Sequence, residues 1–439
     1  MRIRLLAPAF LSLLISTSGL SASSEREESR DSLLASAGLA APREAGFSPE
    51  HRPPVQSSFW SRELMSGDWW GVRENMAATG IEIHALYRGD LFRSCAGGIC
   101  PGSGSINNFD ATLEVRGDGF LPWPGLRAFV HVLANDGGTI SSLVGDAQMV
   151  SNLESPRTAK LYQLFLEQTF GDGGASLLVG MLDMNAEFYV TPSSGMFLNG
   201  SHGVGKELSQ AGLNGPSVFP NTSVAFRVRV PITNRFYSQA AVFDGMPGTI
   251  DDPMASSFGW RSSEGCFAVA ECGYMIEASE DDPAAKLAVG GWWYPRSVVN
   301  ESANSGCYIL AERQVIQGGV DGTEGLTLFL RAGLADAKVN RFSSHVGAGA
   351  VYSGLIPGRE EDHVGVAVAL ASEADAHCLA HMEAGGVPSA GELNIEISYR
   401  CALTPWLVLQ PDFQYVRFPD ADRSVPDAKV LGTRLEFHL

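Results

Sequence analysis

Glu392-Leu393-Asn394-Ile395-Glu396-Ile397-Ser398-Tyr399-Arg400 alternates strictly between polar and apolar side chains. Because successive side chains of a β-strand point to opposite faces, this period of two predicts a strand with one apolar face and one wet face. The segments Trp406 to Tyr415 and Lys429 to Leu439 repeat the pattern after a turn at Thr404-Pro405, and the second runs to the last residue. A soluble sandwich also alternates in this way, whereas repeated strands behind an export signal are typical of an outer-membrane barrel.

The first residues form the three parts of a secretory signal peptide. Met1 to Arg4 carries two arginines, Leu5 to Ile15 is apolar, and small residues follow up to Ala22. The apolar stretch is too short to cross a bilayer as a helix. We therefore assign residues 1–22 to a signal peptide, 23–57 to a disordered extension or linker rich in Ser, Glu, Arg and Pro, and 58–439 to the barrel domain.

Composition limits the class of protein and its partners. Charged residues make up only 18% of the chain, and no apolar run after the signal is long enough for a transmembrane helix, which excludes a helical membrane protein. The formal net charge of −18 disfavours nucleic acid as a partner, because like charges repel.

Strand patterns recur along the domain, separated by connections rich in Gly and Asp. The alternating segments include Ile81 to Arg88, Phe109 to Arg116, Leu126 to Val132, Tyr162 to Glu167 and Val224 to Val230. At about 24 residues per strand and connection, roughly 380 residues accommodate about sixteen strands, a size that leaves a wet lumen. Polar faces carrying charges on one strand after another favour a pore over a packed sandwich. A short helical pattern after Gly71 predicts a helix that caps one end of the barrel.

Several blocks of the chain resemble the carbohydrate-selective porin (OprB) family, in the order in which that family carries them. They are Gly67-Asp68-Trp69-Trp70-Gly71-Val72-Arg73 with Gly80-Ile81, Leu161 to Gln168, Val179 to Phe188, Gly195 to Asn199, Gly215 to Pro220, Val242 to Gly245 and Thr404 to Tyr415. The resemblance spans roughly residues 58 to 439. It implies a sixteen-stranded antiparallel barrel in the outer membrane, through which sugars diffuse passively without chemical change.

Three features depart from the family pattern. The chain ends in Leu439, with Phe437 two residues earlier, where the family usually ends in an aromatic residue that the barrel assembly machinery reads. Position 70 is Trp where the family typically has Gly. The stretch from Cys266 through Cys307 has little family character, and we expect it to form variable external loops.

A sugar-selective pore needs a constriction with hydrogen-bonding groups and aromatic faces, because sugars are neutral. The polar faces of the predicted strands supply the candidates for this eyelet, and opposed carboxylates and guanidinium groups are able to exchange hydrogen bonds with hydroxyls. We predict that it is formed by Glu114, Arg116, Glu167, Asp183, Asn185, Glu187, Arg227 and Arg229. The alternative is that these groups only pair with one another. Trp260, Trp292 and Trp293 are candidates for stacking on sugar rings, although the membrane interface is the more common place for such residues.

Seven cysteines in an exported chain allow disulfides and leave one thiol over. Cys95 with Cys100, and Cys266 with Cys272, have spacings that suit small bridges at loop tips. The sequence does not assign partners to the other three cysteines.

No enzymatic motif is complete. Gly200 to Lys206 matches the first part of a phosphate-binding loop, but Glu207 stands where Ser or Thr is required to bind Mg²⁺. His377 and His381 have the spacing of a zinc-binding helix, yet Cys378 replaces the catalytic Glu and the following glycines suggest a loop. We therefore predict a protein that is not an enzyme, with no cofactor and no metal site.

Two functions remain. The first is a porin for mono- or oligosaccharides, with outer-membrane lipids, lipopolysaccharide and the barrel assembly machinery as further partners. The second is a general or structural barrel whose 23–57 extension contacts the cell wall or a partner protein. The sequence leaves open which sugar passes and whether barrels associate as homo-oligomers.

Overall fold

The computed structural model describes residues 58–120, 122–171, 173–249, 251–260, 265–279, 282–295, 302–319 and 322–439. The predicted signal peptide, residues 1–22, and the predicted extension, residues 23–57, lie outside the described residues. Within the described residues, sixteen antiparallel strands form a closed barrel in which each strand pairs with its neighbours in sequence and β1 pairs with β16. The all-β barrel of about sixteen strands predicted from the alternation is thereby confirmed.

The strands vary in length from 7 residues in β5 to 16 residues in β1. They are β1 Ile81–Ala96, β2 Gly102–Arg116, β3 Leu126–Asn135, β4 Thr158–Thr169, β5 Ser176–Leu182, β6 Ser223–Pro231, β7 Phe236–Asp244, β8 Cys266–Ile276, β9 Ala285–Tyr294, β10 Asn304–Gly318, β11 Glu324–Ala335, β12 Phe342–Ser353, β13 His363–Glu373, β14 Gly391–Thr404, β15 Leu407–Arg417 and β16 Ala428–His438. The short helix α1 Val72–Ala78 precedes β1, and four more lie between strands: α2 Gly117–Phe120, α3 Ser141–Val144, α4 Lys206–Ser209 and α5 Asp375–Glu383, all within the described residues.

On strands with a clear alternation, the polar parity faces inward, as the sequence pattern predicts. On β14, Asn394 and Glu396 are completely buried inside the barrel, whereas Ile397 is exposed on the outside. A band of exposed Leu, Val and Phe side chains covers the outer surface, including Leu166, Phe226 and Val366. This apolar exterior matches the lipid-facing surface of a barrel that crosses a membrane.

Connections at the two ends of the barrel differ in length. The long ones, 136–157, 183–222, 245–265 and 374–390, all leave one edge, which we call the long-loop edge. The other edge, the short-turn edge, includes the two-residue turn 405–406 and the turn 232–235. Among the described residues, no helix is both long and apolar enough to cross a membrane.

The predicted N-terminal helix, α1, lies at the short-turn edge. Arg73 on this helix donates a hydrogen bond from Nη2 to the Leu439 carbonyl at 3.0 Å, and the Met65 N–H donates to the His438 carbonyl at 2.8 Å. The preceding segment is fixed by Trp406, whose Nε1 donates to the Phe59 carbonyl at 3.0 Å. These contacts join the start of the domain to β16, so α1 caps one end of the barrel.

The expectation that the stretch from Cys266 through Cys307 forms external loops is wrong. It contains β8 and β9 and the start of β10, which pair with each other in continuous registers. The alternation is weak because small residues occupy both faces of these strands, for example Ala268 and Gly273 on β8 and Gly290 and Gly291 on β9. A strand with Ala or Gly on both faces lacks the contrast that a period-two pattern needs.

The prediction that Tyr162 and Gln163 on β4 face opposite sides is wrong, because β4 contains a β-bulge at this point. The register with β3 shifts between His131 and Val132, so that Tyr162 is left without a partner opposite it. An extra residue of this kind re-aims the neighbouring side chains. Tyr162 and Gln163 are therefore both buried on the inside, although the sequence pattern put them on opposite faces.

The cysteine bridges predicted from spacing are absent. All seven cysteines lie in the described part of the chain and are free thiols. Cys266 and Cys272 both lie on β8, where an extended strand separates their Cα atoms by roughly 20 Å, far beyond the reach of a disulfide. Cys95 is exposed near the long-loop edge, at the C-terminal end of β1. Cys100 lies in the turn after β1, where its backbone N–H donates to the Leu143 carbonyl at 3.0 Å.

His377 and His381 lie on α5 rather than in the predicted loop. His381 Nε2 is 3.1 Å from a carboxylate oxygen of Asp422, an ion-pair geometry that ties the helix to the connection 418–427. Among the described residues, no group of three or more His, Cys, Asp or Glu side chains is placed to hold a metal ion.

Candidate functional site

The longest connection, residues 183–222, folds into the barrel and crosses the lumen. We call it the constriction loop. Its carbonyl at Met196 accepts a hydrogen bond from Gln410 Nε2 on β15 at 2.8 Å, and its Phe197 ring packs 5.8 Å from Phe329 on β11. Since the loop leaves β5 and returns to β6, these contacts with β11 and β15 place it across the pore. The lumen is narrowed at this level.

Carboxyl groups on β14 hold the loops in place by accepting backbone N–H groups. Glu396 accepts from the N–H of Leu198 at 2.5 Å and from that of Asn199 at 3.0 Å, both in the constriction loop. Glu392 likewise accepts from Ala147 at 2.7 Å and Gln148 at 2.9 Å in the connection 136–157. These acids supply partners that buried loop N–H groups require.

Neighbouring strands add side chains with the same role. Gln414 on β15 donates from Nε2 to the Val150 carbonyl at 2.8 Å, and Arg331 on β11 donates from Nη1 to Ser194 Oγ at 3.0 Å. We call the five residues Arg331, Glu392, Glu396, Gln410 and Gln414 the loop anchor. All five are nearly or fully buried, so this wall is covered by protein and not by water.

The opposite wall carries a chain of alternating charges across β2, β3, β4 and β6. Arg127 Nε lies 2.8 Å from Glu114 Oε2, and Arg127 Nη1 lies 3.1 Å from Glu167 Oε2. Arg227 then joins Glu167 at 2.8 Å to Glu187 of the constriction loop at 2.8 Å. We call these five residues the charged ladder. It connects the barrel wall to the loop through charge-assisted hydrogen bonds, which are the stronger kind.

The two arginines of the charged ladder differ in their access to solvent. The side chain of Arg127 is 24% exposed, whereas that of Arg227 is 2% exposed. The guanidinium carbon of Arg127 lies 5.3 Å from the ring centre of Phe129 and 5.2 Å from that of Phe165, and these two rings stack on each other at 5.0 Å. A solute in the pore therefore has much more access to Arg127 than to Arg227.

The remaining predicted eyelet residues have other partners. Arg116 forms an ion pair with Glu82 near the short-turn edge, and the guanidinium of Arg229 lies 4.9 Å from the ring centre of Tyr237. Asp183 accepts from the Tyr162 hydroxyl at 2.6 Å and caps the turn that starts the constriction loop by accepting from the Asn185 N–H at 2.8 Å.

Asn185 in turn donates from Nδ2 to the carbonyls of Phe188 and Gly203, each at 3.2 Å. Asp183 and Asn185 therefore shape the constriction loop itself. Their polar atoms are already engaged in its turns.

These side chains surround one large cavity of about 3820 Å³ that runs through the barrel. All eight predicted eyelet residues line it. None of the three tryptophans does: Trp292 is buried against Tyr294, while Trp293 is 50% exposed on the outside and Trp260 packs 6.1 Å from Phe226. The structure thus brings four of the eight residues, Glu114, Glu167, Glu187 and Arg227, into the charged ladder.

Arg127, Phe129, Phe165 and Glu82 were not among the predicted eyelet residues. Arg127 and Phe129 share the inward parity of β3 with His131, so the alternation carried the signal for both. Phe165 shares the inward parity of Glu167 on β4. In the lumen the rings of Phe129 and Phe165 form a platform beneath the guanidinium group of Arg127.

A buried acid lies behind the constriction loop. Glu207 on α4 accepts a hydrogen bond from the Tyr189 hydroxyl at 2.8 Å, and its second carboxylate oxygen has no hydrogen-bond partner among the described residues. Burial raises the pKa of Glu207 to about 7, because a charged carboxylate is costly away from water. This loop acid therefore changes its charge near neutral pH.

Comparisons with known proteins agree with this geometry. The model of the carbohydrate-selective porin, OprB family, matches residues 120–439. Porin B of Pseudomonas aeruginosa is 21% identical over 415 residues, which cover 85% of this chain and 90% of that protein.

Solved structures show the same fold. The high-pH structure of Pseudomonas putida OprB matches with a TM-score of 0.76 at 20% identity, covering 87% of this chain and all of that one. The low-pH structure of the same protein matches with a TM-score of 0.58 at 18% identity, covering 86% and 99% of the two chains.

Proposed function

Because this chain belongs to the carbohydrate-selective porin family, we propose that its charged ladder is the part of the pore that binds sugar. The protein is a porin of the bacterial outer membrane that passes carbohydrates down their gradient. The family is one of channels, and we propose that sugars cross this pore without chemical change. We also propose that the barrel assembly machinery inserts this barrel, with its apolar exterior, into the outer membrane.

The observation that carries the proposal is the position of Arg127. Its guanidinium lies between the carboxylates of Glu114 and Glu167, above the stacked rings of Phe129 and Phe165, and remains partly open to the lumen. A sugar hydroxyl is able to donate to either carboxylate and accept from the guanidinium. The apolar C–H face of a sugar ring needs an aromatic or other apolar surface, which the edges of the two rings supply.

The balance of charge in the ladder also suits a neutral solute. Each arginine lies between two carboxylates, so a sugar that enters exchanges one set of hydrogen bonds for another without leaving a buried charge alone. A transport site must release what it binds, and exchange of this kind keeps the binding weak. We therefore propose neutral mono- or oligosaccharides as the substrate class.

Single-channel conductance in a planar bilayer tests the proposal. The purified barrel is titrated with glucose and then with maltooligosaccharides, and the fall in current gives the apparent affinity. We expect saturable block by one of these sugars in the wild type. In Arg127→Gln the apparent affinity should fall roughly tenfold, the effect of losing a charge-assisted hydrogen bond.

Arg313→Gln is the matched control, because Arg313 is an exposed arginine on the outer face of β10. Its block by sugar should equal that of the wild type. A steady current that no sugar changes, or equal block in wild type and Arg127→Gln, would contradict sugar binding at the charged ladder.

A further inference from the structure

The outer face of the barrel carries a cluster of basic side chains at the long-loop edge. Arg93 on β1, Arg417 on β15, Lys429 on β16 and Arg423 in the connection 418–427 are all exposed. None of the four has an ion-pair partner among the described residues. The chain as a whole has 49 acidic and 31 basic residues, so four unpaired cations together are unusual in this molecule.

Strand register places three of these cations on one diagonal. Arg93 lies opposite Leu431, two residues from Lys429 on β16, and Lys429 lies opposite Tyr415, two residues from Arg417 on β15. Diagonal neighbours of this kind on one face of a sheet are about 7 to 8 Å apart. The cations therefore follow a line that rises from β1 to the rim at β15.

Phe418 extends the line into the adjoining connection. The guanidinium carbons of Arg417 and Arg423 lie 4.7 Å and 5.3 Å from the centre of its ring, so both arginines gather around one residue. Asp427, which borders the cluster, accepts from the Tyr415 hydroxyl at 2.5 Å and from the Phe418 N–H at 3.1 Å, and its one negative charge is fewer than the four positive charges of the cluster. The positive charge of the cluster is left for an external anion.

An apolar groove lies directly beside Arg93. It has a volume of about 400 Å³ and is lined by residues of β1, β2 and β16, among them Leu91, Arg93, Ser103 and Leu431. Leu91 and Leu431 are 57% and 54% exposed on the lipid-facing surface. The small side chain of Ser103 keeps the groove open. One site thus combines an apolar slot with cations at the end nearer the rim.

We propose that this cluster and groove bind the phosphorylated headgroup and one acyl chain of lipid A, the membrane anchor of lipopolysaccharide. In outer-membrane barrels the long loops face the cell exterior, so the cluster lies at the level of the outer leaflet. Guanidinium groups match phosphate oxygens in geometry and charge, and basic residues beside a membrane attract anionic headgroups. The groove supplies the apolar surface that an acyl chain requires.

The test measures lipid bound per barrel by native mass spectrometry on the full-length protein, purified in detergent without lipid and titrated with bisphosphorylated lipid A. The variant Arg93→Gln/Arg417→Gln/Lys429→Gln should bind more weakly, by roughly fivefold per cation removed. The control Arg235→Gln/Arg313→Gln/Lys338→Gln removes three exposed cations elsewhere and should bind as the wild type does. Lipid A without its phosphates should have the same affinity for the wild type as for the Arg93→Gln/Arg417→Gln/Lys429→Gln variant, because the cations then have no phosphate to bind.

A separate variant tests the groove without changing any charge. Ser103→Trp fills the slot and should lower the affinity for lipid A, and the heat-modifiable mobility of each variant in electrophoresis shows whether its barrel is folded. Three results would overturn the proposal: unchanged binding by the folded triple variant, an equal loss in the control, or full displacement by inorganic phosphate at the concentration of the lipid. If Ser103→Trp binds lipid A as tightly as the wild type does, the groove does not hold an acyl chain.

Discussion

The charged ladder and the loop anchor face each other across the same lumen and were built from the same kind of sequence pattern. In the charged ladder, carboxylates meet guanidinium groups and Arg127 remains partly open to the pore. In the loop anchor, Glu392 and Glu396 are completely buried beneath the loops and accept backbone N–H groups instead. The alternation of a strand therefore predicts which face is inward. Whether an inward acid pairs with an arginine or accepts backbone N–H groups depends on the loop that packs against it.

This difference has an energetic reason. Arg127 leaves the carboxylates of Glu114 and Glu167 able to exchange hydrogen bonds with a solute, because all three groups keep some contact with water. A carboxyl that satisfies two loop N–H groups has no such freedom, since losing it leaves buried donors without partners. One wall is therefore suited to binding a passing solute, and the other to fixing the width of the pore.

The largest effect is expected from Glu396→Ala, which removes one member of the loop anchor. The N–H groups of Leu198 and Asn199 lose their acceptor, and at roughly 1 to 3 kcal/mol for each buried donor left without a partner the free energy of unfolding should fall by about 2 to 5 kcal/mol. The released loop should also widen the pore. Chemical denaturation and single-channel conductance measure the two consequences.

Glu396→Gln is the control, because its amide oxygen still accepts one of the two bonds and its loss of stability should be smaller. If Glu396→Ala unfolds at the wild-type denaturant concentration and conducts like the wild type, then the loop anchor does not set the pore width.

The second effect concerns pH and arises behind the constriction loop. The pKa of Glu207 is raised by burial to about 7 from an ordinary value of 4.5, so the folded state binds the proton more tightly than the unfolded state. Stability from this group is present below pH 4.5 and is lost as the pH rises to 7, by about 3 kcal/mol in all. Thermal melting followed by circular dichroism should show this loss in the wild type and lack it in Glu207→Gln. A Glu207→Gln curve parallel to the wild type across this range would contradict the assignment.

A smaller effect separates the two arginines of the charged ladder. Arg227→Gln removes ion pairs to Glu167 and Glu187, and because both carboxylates retain some access to water the free energy of unfolding should fall by only about 2 kcal/mol. Arg127→Gln should change stability less and sugar block more. Chemical denaturation measures the loss of stability in both variants, and single-channel conductance measures their block by sugar. Equal losses of sugar affinity would mean that solvent access does not distinguish the two arginines.

Much of the fold was predictable from alternation, and the exceptions have physical causes. Strands with strong contrast between faces were located best: the segment predicted for β16 is within one residue of the observed strand at each end, and the segment predicted for β14 lies wholly inside that strand. β8 and β9 were missed because Ala and Gly on both faces remove that contrast. The bulge at Tyr162 was invisible because a single inserted residue changes no composition.

The candidate site was predictable in its parity but not in its partners. All eight inferred eyelet residues line the cavity, but Asp183, Asn185 and Glu187 lie in the constriction loop and not on the polar face of a strand. Which of them meet depends on the path of the constriction loop, whose fold follows from contacts between residues nearly two hundred positions apart, such as Leu198 with Glu396. Arg127 and Phe129 share the inward face of β3, and their contact with Phe165 depends on the pairing of β3 with β4, which alternation alone does not give.

The smallest effect is expected from an ion pair that belongs to neither wall. Arg235 and Asp282 lie 3.1 Å apart at the short-turn edge, and their side chains are 50% and 52% exposed. Water already solvates both charges, so Arg235→Ala should change the free energy of unfolding by less than about 0.5 kcal/mol and leave sugar block unaltered. Chemical denaturation measures the change, and a loss approaching that of Arg227→Gln would show that burial is not what distinguishes the charged pairs of this barrel. The comparison matters because all of these pairs look equivalent in distance, and only their exposure to water predicts different strengths.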